Sequence, residues 1–529
     1  MEKSLTEHIQ HFKDRRELIR KAGTLGRESI HELSVITDVF LVSVFSQAER
    51  KWHKSGKGTP RSVAMVPTGG YGRSELCFHS DIDLMILYGS GTDPVAEFIS
   101  EQIFYPLWDS GIQIGHCIRT VDDCVEVARE NLSTQTSFLD ARCLAGNREL
   151  FKKFQKAFTG NIINDRRRGF LDSLVEEDQK RYRIYGEAAF LLEPNVKEGK
   201  GGLRDYHSIV WAAKALFNLQ NLEALESAAV LSQKERAWLE ESLEFFWNVR
   251  SRLHILSKRK NDRLFFEYQE DVAKAIGFKP GPDSLDVEEF MKAFYSHASR
   301  IEYLSSLFFE RVFHTLRIKP ASGTVQPHDL IIEKDISIYK GEIKVEKPEI
   351  FAGKPYLLMK LFEYAAKYEV QLHPKTCQAI MDNLDLVDDT FRSSRKVARS
   401  MMKLMSLGAK AFGPLELMLK TGLLSRYIPE FSNIVCQVQH DSYHLYTVDK
   451  HSLLTFLELG LLRDRNAGPF TTSGEPEYLF LTALLHDIGK GFGRNHAEKG
   501  ADLIRTICRR MGIRESVADE MSFLIRHHL

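Results

Sequence analysis

Two short stretches of the sequence carry side chains able to handle phosphate and metal. The first is Pro67-Thr68-Gly69-Gly70-Tyr71-Gly72-Arg73-Ser74-Glu75-Leu76, followed by Ser80-Asp81-Ile82-Asp83-Leu84. Alternation along a strand sends Asp81 and Asp83 to one face and Ile82 and Leu84 to the packed side, so the two carboxylates are placed to share a divalent cation. Such hard oxygen ligands suit Mg²⁺. The glycines permit close backbone approach at a turn, where unpaired amides can meet a triphosphate. A third acidic ligand is expected from another strand, and Asp140 is chosen over Asp109 and Asp122, which read as helical. Arg73 stays open between contacting phosphate and pairing with Glu75. The plain alternative is a Gly-rich turn feeding a strand with two solvent-facing aspartates; the added Arg73 and Glu75 weigh against it.

The second stretch lies near the other end. His444 and His451 are seven residues apart, about two helical turns, and face one side if the segment is helical. Further on, LLHDIGKGFGRNHAEKGA supplies His486, Asp487, Lys490 and His496. Adjacent His486 and Asp487 can bind one ion from neighbouring angles, with His451 completing a mixed nitrogen and oxygen shell. That shell suits a transition metal or Mg²⁺ that polarises phosphate and activates water. Cap or core hydrogen bonding is the ordinary fate of a lone histidine, and it is the preferred reading of His444 taken alone.

A third segment, EPNVKEGKGGLRD at 193–205, is either a surface turn or a basic loop that closes on phosphate. Lys197, Lys200 and Arg204 supply charge, and Gly199, Gly201 and Gly202 conformational freedom.

Elements to hold these residues follow from the periodicity. Residues 1–55 read as helix, with Leu33, Ile36, Phe40, Leu41, Val44 and Phe45 at helical spacing. Residues 56–150 alternate strands (SVAMVP, DIDLMILY, GIQIGHCIRT) with helices, a mixed α/β domain that begins with a loop at HKSGKGTPRS. Residues 151–318 are mainly helical, and LVEEDQKRYRIYGEAAFLL is one clear helix. Residues 319–430 hold a short β element and a helical connector, and residues 431–529 the histidine pattern on helices, with a loop at 465–477. The expected fold class is multidomain α+β.

With 529 residues, 43% hydrophobic and 27% charged, the chain is long enough for several cores, and dominant disorder is excluded. Lys plus Arg and Asp plus Glu are both 72, so net charge offers no general attraction to nucleic acid or anionic membrane. Neither a membrane nor a nucleic-acid partner is expected. Seven scattered cysteines without a CxxC suggest neither a disulfide framework nor a thiolate zinc site, which fits a reducing cytoplasm.

The Gly-rich turn with SDIDL resembles the nucleotidyltransferase superfamily, specifically the bacterial bifunctional uridylyltransferase and uridylyl-removing enzymes that act on the PII signal protein. The resemblance extends through YPLWDSGIQIGHCIRT, TSFLDARCLAG and LLEPNVKEGKGGLRDYHSI, with departures at Ser74 and at CFH, 77–79. It implies a nucleotidyltransferase-type mixed α/β domain, a helical middle domain and a partial all-α HD-type domain. It also implies Asp81 and Asp83, and less securely Asp140, as metal ligands. UTP would lie near Gly69, Gly70 and Ser80, with Arg73, Lys197, Lys200 and Arg204 contributing to the nucleotide site. LLHDIGKG and HAEKGA are similar to the HD-type phosphohydrolase motif, implying His451, His486, Asp487 and His496 as ligands of Mn²⁺ or another divalent metal. His528, and less so His527, joins them. The resemblance further implies a later aspartate and two C-terminal ligand-sensing ACT domains that this sequence does not contain, so a truncated chain with an incomplete hydrolase site is expected. The expected reaction is UMP transfer from UTP to a PII tyrosine. A nucleotidyltransferase acting on RNA, another protein or a small metabolite is the alternative, and a nucleotide-binding regulatory scaffold a further one.

Overall fold

The computed structural model describes residues 5–23, 25–55, 62–89, 94–186, 191–281, 285–315, 330–339, 341–437, 446–465, 476–492 and 495–528. His444 lies outside the described residues, as do most of the loops read at HKSGKGTPRS and at 465–477, whose His53, Lys54, Pro476 and Glu477 belong to helices. The chain divides into two compact units, one of Met1–Ala188, Glu193–Gly277 and Arg300–Phe308, the other of Ala189–Leu192, Phe278–Ser299 and Phe309–Leu529.

In the first unit, helices α1 (Leu5–Ala22) and α2 (Arg27–Lys54) fulfil the helical reading of the first 55 residues. By length and composition α2 is apolar enough to cross a membrane. Its Leu33, Phe40, Leu41, Val44 and Phe45 instead pack with Val63, Leu84 and Ile86 of the sheet, which makes it a core helix.

The sheet is built from β1 (Val63–Pro67), β2 (Ile82–Tyr88), β3 (Ile114–Thr120) and β4 (Ala145–Gly146) in the order β3-β2-β1-β4. Between them run the short helix α3 (Gly69–Gly72), then α4 (Pro94–Asp109), α5 (Val121–Glu130) and α6 (Leu132–Leu139). Strand β2 pairs antiparallel with β1 and parallel with β3, so the sheet is mixed and α4 is its crossover. All five residues of β1 are buried, as a central strand covered on both faces requires. Asp140, expected on a strand, is instead the C-cap of α6. Helix α7 (Arg148–Phe158) packs Leu150, Phe151, Phe154 and Phe158 inward.

Helices α8 (Arg167–Tyr185) and α9 (Leu203–Phe217) follow, then helices Gln233–Ser257 and Phe266–Ile276. The long helix read through residue 192 stops at Tyr185, with Gly186 as its C-cap.

In the second unit, β5 (Leu330–Glu333), β6 (Ile336–Tyr339), β7 (Glu342–Val345) and β8 (Gln371–Leu372) form a second four-stranded sheet in that order. Ile336, Ile338 and Ile343 pack there against Phe351, Leu358 and Phe362 of the following helices. The chain then continues into helices Val448–Asp464, Pro476–Leu485, His496–Met511 and Glu515–Arg526.

Candidate functional site

The first site grows out of the turn between β1 and β2. Thr68 N donates to Asp83 O at 3.0 Å, which locks the start of the glycine turn to β2. Gly69 adopts φ 53°, a left-handed conformation that glycine takes without strain. On the other side Asp83 pairs in register with Gly115 of β3. A Cβ at Gly69 would lie 2.8 Å from Asp83 Oδ2, and one at Gly115 would lie 2.5 Å from Oδ1. The carboxylate therefore occupies space that exists only because both neighbours lack side chains.

Asp81 stands immediately before β2, and its Oδ2 is 2.6 Å from Lys260 Nζ. Burial, with the Asp81 charge second, raises the Asp83 carboxyl above its usual pKa, while Lys260, Lys197 and Arg73 oppose the shift. A carboxylate crowded by burial and by a second carboxylate forms a seat for a cation. Lys197 is pushed down to about 8, by burial first and then by Arg204 and Arg250.

The other residues expected here fall differently. Arg73 is buried, its Nε 2.8 Å from Glu75 Oε2 and its Nη1 2.5 Å from Asp140 Oδ2. It fills the pairing role rather than the phosphate role. Asp140 is fully buried and also accepts from Trp211 Nε1 and Lys214 Nζ, each at 2.8 Å. Among the described residues, Asp81, Asp83 and Asp140 do not bring ligand atoms within 4.8 Å of one another. Asp140 is thus an anchor: a buried carboxylate at a helix end needs its lone pairs filled, and three donors fill them. Ser80 shapes the turn before Asp81, its N donating to Cys77 O at 3.0 Å and its Oγ accepting from Cys77 N at 3.3 Å. A Cβ at Gly70 would meet nothing closer than Arg73 Nη2, at 3.9 Å.

The basic loop is tied down. Arg181 of α8 donates to Glu198 O at 2.7 Å and to Asp205 Oδ1 at 2.5 Å, and Gly201 N donates to Asp205 Oδ2 at 2.7 Å. Lys200 pairs with Glu302 at 2.9 Å and Arg204 with Glu198 at 2.8 Å. Of the loop's three cations, Lys197 is the one that acts on Asp83. Sequence reasoning missed Lys260, and its one signal was the basic run Lys258-Arg259-Lys260.

The second site lies wholly in the second unit. His451 comes from helix Val448–Asp464; His486 and Asp487 fall in the turn after helix Pro476–Leu485 rather than on a helix; His496 opens helix His496–Met511; and His528 follows helix Glu515–Arg526. All converge on Asp487, which is 2% exposed. Its Oδ2 lies 3.2 Å from His486 Nε2, 3.7 Å from His451 Nε2 and 2.9 Å from Lys490 Nζ. Its Oδ1 lies 3.4 Å from His528 Nε2 and 4.0 Å from His496 Nε2. Two trios, His451–His486–Asp487 and Asp487–His496–His528, each bring ligand atoms within 4.8 Å of one another. His527 is the C-cap of the last helix and belongs to neither trio.

Burial pushes the Asp487 carboxyl up, but His486 and Lys490 outweigh it and hold it well below the usual carboxylate range. Asp487 Oδ1 and His496 Nε2 are buried without a hydrogen-bond partner. Orphaned acceptors facing one another are costly unless a cation sits between them, so the residues fit a divalent metal. Nitrogen and oxygen donors without thiolate suit a borderline or hard ion.

Comparison with known families covers three stretches. Residues 169–309 match the family described as GlnD PII-uridylyltransferase, residues 337–427 the uridylyltransferase GlnD third domain, and residues 448–529, which include the histidine cluster, the HD domain. The chain carries the domains of the bacterial bifunctional uridylyltransferase/uridylyl-removing enzymes and is homologous to them. A bifunctional uridylyltransferase/uridylyl-removing enzyme of Phenylobacterium zucineum is 32% identical over 527 residues, 96% of this chain and 56% of the relative. Those of Ruegeria pomeroyi and Azospirillum brasilense are each 31% identical, over 476 and 479 residues; both alignments take in 88% of this chain, with 52% and 51% of the relatives. The chain spans about half the length of these relatives. Its architecture is multidomain α+β, with a mixed-sheet domain, a helical middle region and a C-terminal all-α HD-type domain.

Proposed function

We propose that the first unit transfers UMP from UTP to a tyrosine hydroxyl of a PII signal protein, and that the HD centre belongs to a second site, for hydrolytic removal of the uridylyl group. The observation that supports transfer most directly is the Asp83 carboxylate seated between Gly69 and Gly115 beside Asp81, in a chain homologous to uridylyltransferases. A cation bound at either centre would neutralise phosphate oxygens, with Mg²⁺ fitting the aspartates and Mn²⁺ or another divalent metal the histidines.

The chain's own residues then have assigned work. The amides around Gly69 and Gly70 receive the triphosphate, and Ser80 fixes the turn that delivers Asp81. Lys197 and Lys260 balance the negative charge of the bound nucleotide. The tyrosine oxygen forms a bond to the α-phosphorus, the bond to the bridging oxygen breaks, pyrophosphate leaves, and the phenolic proton passes to solvent. At the other centre water attacks the same phosphorus in the tyrosyl diester, the bond from phosphorus to the tyrosine oxygen breaks, the phenolate takes up a proton released by the water, UMP is set free, and Lys490 stands where it can meet the phosphate. We assign residues 56–150 to transfer and 431–529 to removal, with 1–55, 151–318 and 319–430 as supporting segments. A cytoplasmic setting follows for such a partner.

The test uses PII, Mg²⁺ and UTP labelled on the α-phosphate, with the native chain and an Asp81→Asn/Asp83→Asn variant. Label enters PII only with both aspartates intact. Equal labelling by the two proteins rejects the transferase assignment, and label entering RNA rather than PII favours the alternative acceptor.

A further inference from the structure

Six residues before Asp83 the chain passes Cys77, in the turn that sets Ser80. Its surroundings differ from those of every other cysteine. Cys77 Sγ lies 3.5 Å from Ser251 Oγ on helix Gln233–Ser257. One turn along the same helix, His254 faces the thiol and accepts from His79 N through Nδ1 at 3.3 Å. His254 Nε2 is 3.0 Å from Asp262 Oδ1, and that oxygen also takes the Arg250 Nε–H at 2.7 Å. The imidazole thus acts on the sulfur on one side and meets the carboxylate on the other, and two guanidinium groups, those of Arg250 and Arg16, also act on the sulfur. A cavity of about 130 Å³, lined among others by Arg16, Cys77, His79 and Ser80, has room for several water-sized molecules.

We propose that Cys77 is an oxidation site for small hydroperoxides, with His254 as its proton partner and Asp262 orienting His254. The thiolate attacks one peroxide oxygen; a sulfur–oxygen bond forms and the oxygen–oxygen bond breaks. Sulfur gives up two electrons and the peroxide accepts them. The departing hydroxide takes the imidazolium proton and leaves as water, and the product is a sulfenic acid.

The electrostatics run the same way. Burial raises the Cys77 thiol, yet His254, Arg250 and Ser251 outweigh it and bring it down to about 7. Cys124, Cys377 and Cys508 are pushed up to about 12 by burial. Their sulfurs rest on Met85 Sδ, Leu372 O and Met521 Sδ. The turn that holds the thiol leads into Asp81, so on the transferase reading a sulfur derivative acts directly at the nucleotide site.

Peptide mass spectrometry of the folded full chain, treated with substoichiometric hydrogen peroxide and dimedone, tests the proposal without reference to UTP. The dimedone adduct forms on Cys77 at least tenfold faster than on any of the other six cysteines. His254→Gln and, separately, Asp262→Asn slow it tenfold or more while their circular-dichroism melting curves remain cooperative. Cys77 staying unlabelled in the folded chain, or labelling no faster than half-buried Cys117, overturns the proposal. So does an unchanged rate in the two folded variants. A failure of UMP transfer leaves this result untouched.

Discussion

The two candidate sites hold charge in opposite ways. At the aspartate pair the negative charges are exposed to balance from side chains far along the chain: Lys260 reaches Asp81 across 179 positions, and the carboxylate of Asp83 depends on two absent side chains. At the HD centre one buried carboxylate gathers four histidines within 78 positions, and atoms there remain without hydrogen-bond partners. In the first arrangement a cation must compete with Lys260 for Asp81. In the second, carboxylate and imidazole atoms without hydrogen-bond partners are gathered at one point, so a cation there should bind tightly and stabilise the fold.

The largest effect should come from Asp487→Asn, which removes the ligand shared by both trios. Calorimetric titration with Mn²⁺ should show affinity falling by at least about 100-fold; retention within threefold breaks the contrast. Next comes Gly115→Ala. Its methyl competes with Asp83 Oδ1 for the same space, and a displacement of that size lowers UMP incorporation by about 100-fold. A rate within twofold of the native chain would show that the carboxylate has other room.

A smaller effect concerns pH. His207 lies 2.9 Å from Glu75 and is pulled down to about 3, by burial first and then by Arg73, against the opposing pull of Glu75. The unfolded chain takes up this proton near pH 6.5 and the folded chain only near 3, so stability is lost as pH falls through that window. Between pH 7.5 and 5.5 this amounts to about 1.4 kcal/mol. Urea titrations at the two pH values should show the loss in the native chain and its absence in His207→Gln; equal losses would assign it elsewhere. The smallest effect is expected from Lys260→Ala. Because the Lys260–Asp81 pair is half exposed, removing it should lower the Mg²⁺ needed for half-maximal transfer by about twofold to fivefold. An increased requirement would mean that Lys260 aids cation binding rather than competing with it.

What could be read beforehand was whatever is local. The strand alternation around Asp83, the glycine turn, the apolar stripe of α2 and the His-Asp dipeptide all depend on neighbours a few positions away. Asp140 was misplaced because its role is set by Trp211 and Lys214, more than 70 residues later, and because a helix end resembled a strand. Lys200 and Arg204 looked available for phosphate because Glu302, one of the carboxylates that hold them, is about a hundred residues away. Lys260 carried too little local pattern to be chosen at all. The apolar run LFLTALL leads straight into His486 and extends the helical pattern to it, yet the helix ends one residue earlier.

The knot of Arg73, Asp140, Trp211 and Lys214 also sets a limit on engineering. It stitches the glycine turn and the end of α6 to α9, which lies outside the sheet region. Excising the sheet region on its own would strip Trp211 and Lys214 from the Asp140 carboxylate and leave Arg73 as its sole remaining counterpart in the knot. Any chimera that keeps this knot must therefore cut after Phe217, and the smallest graftable piece that holds the aspartate pair is correspondingly larger than its sheet.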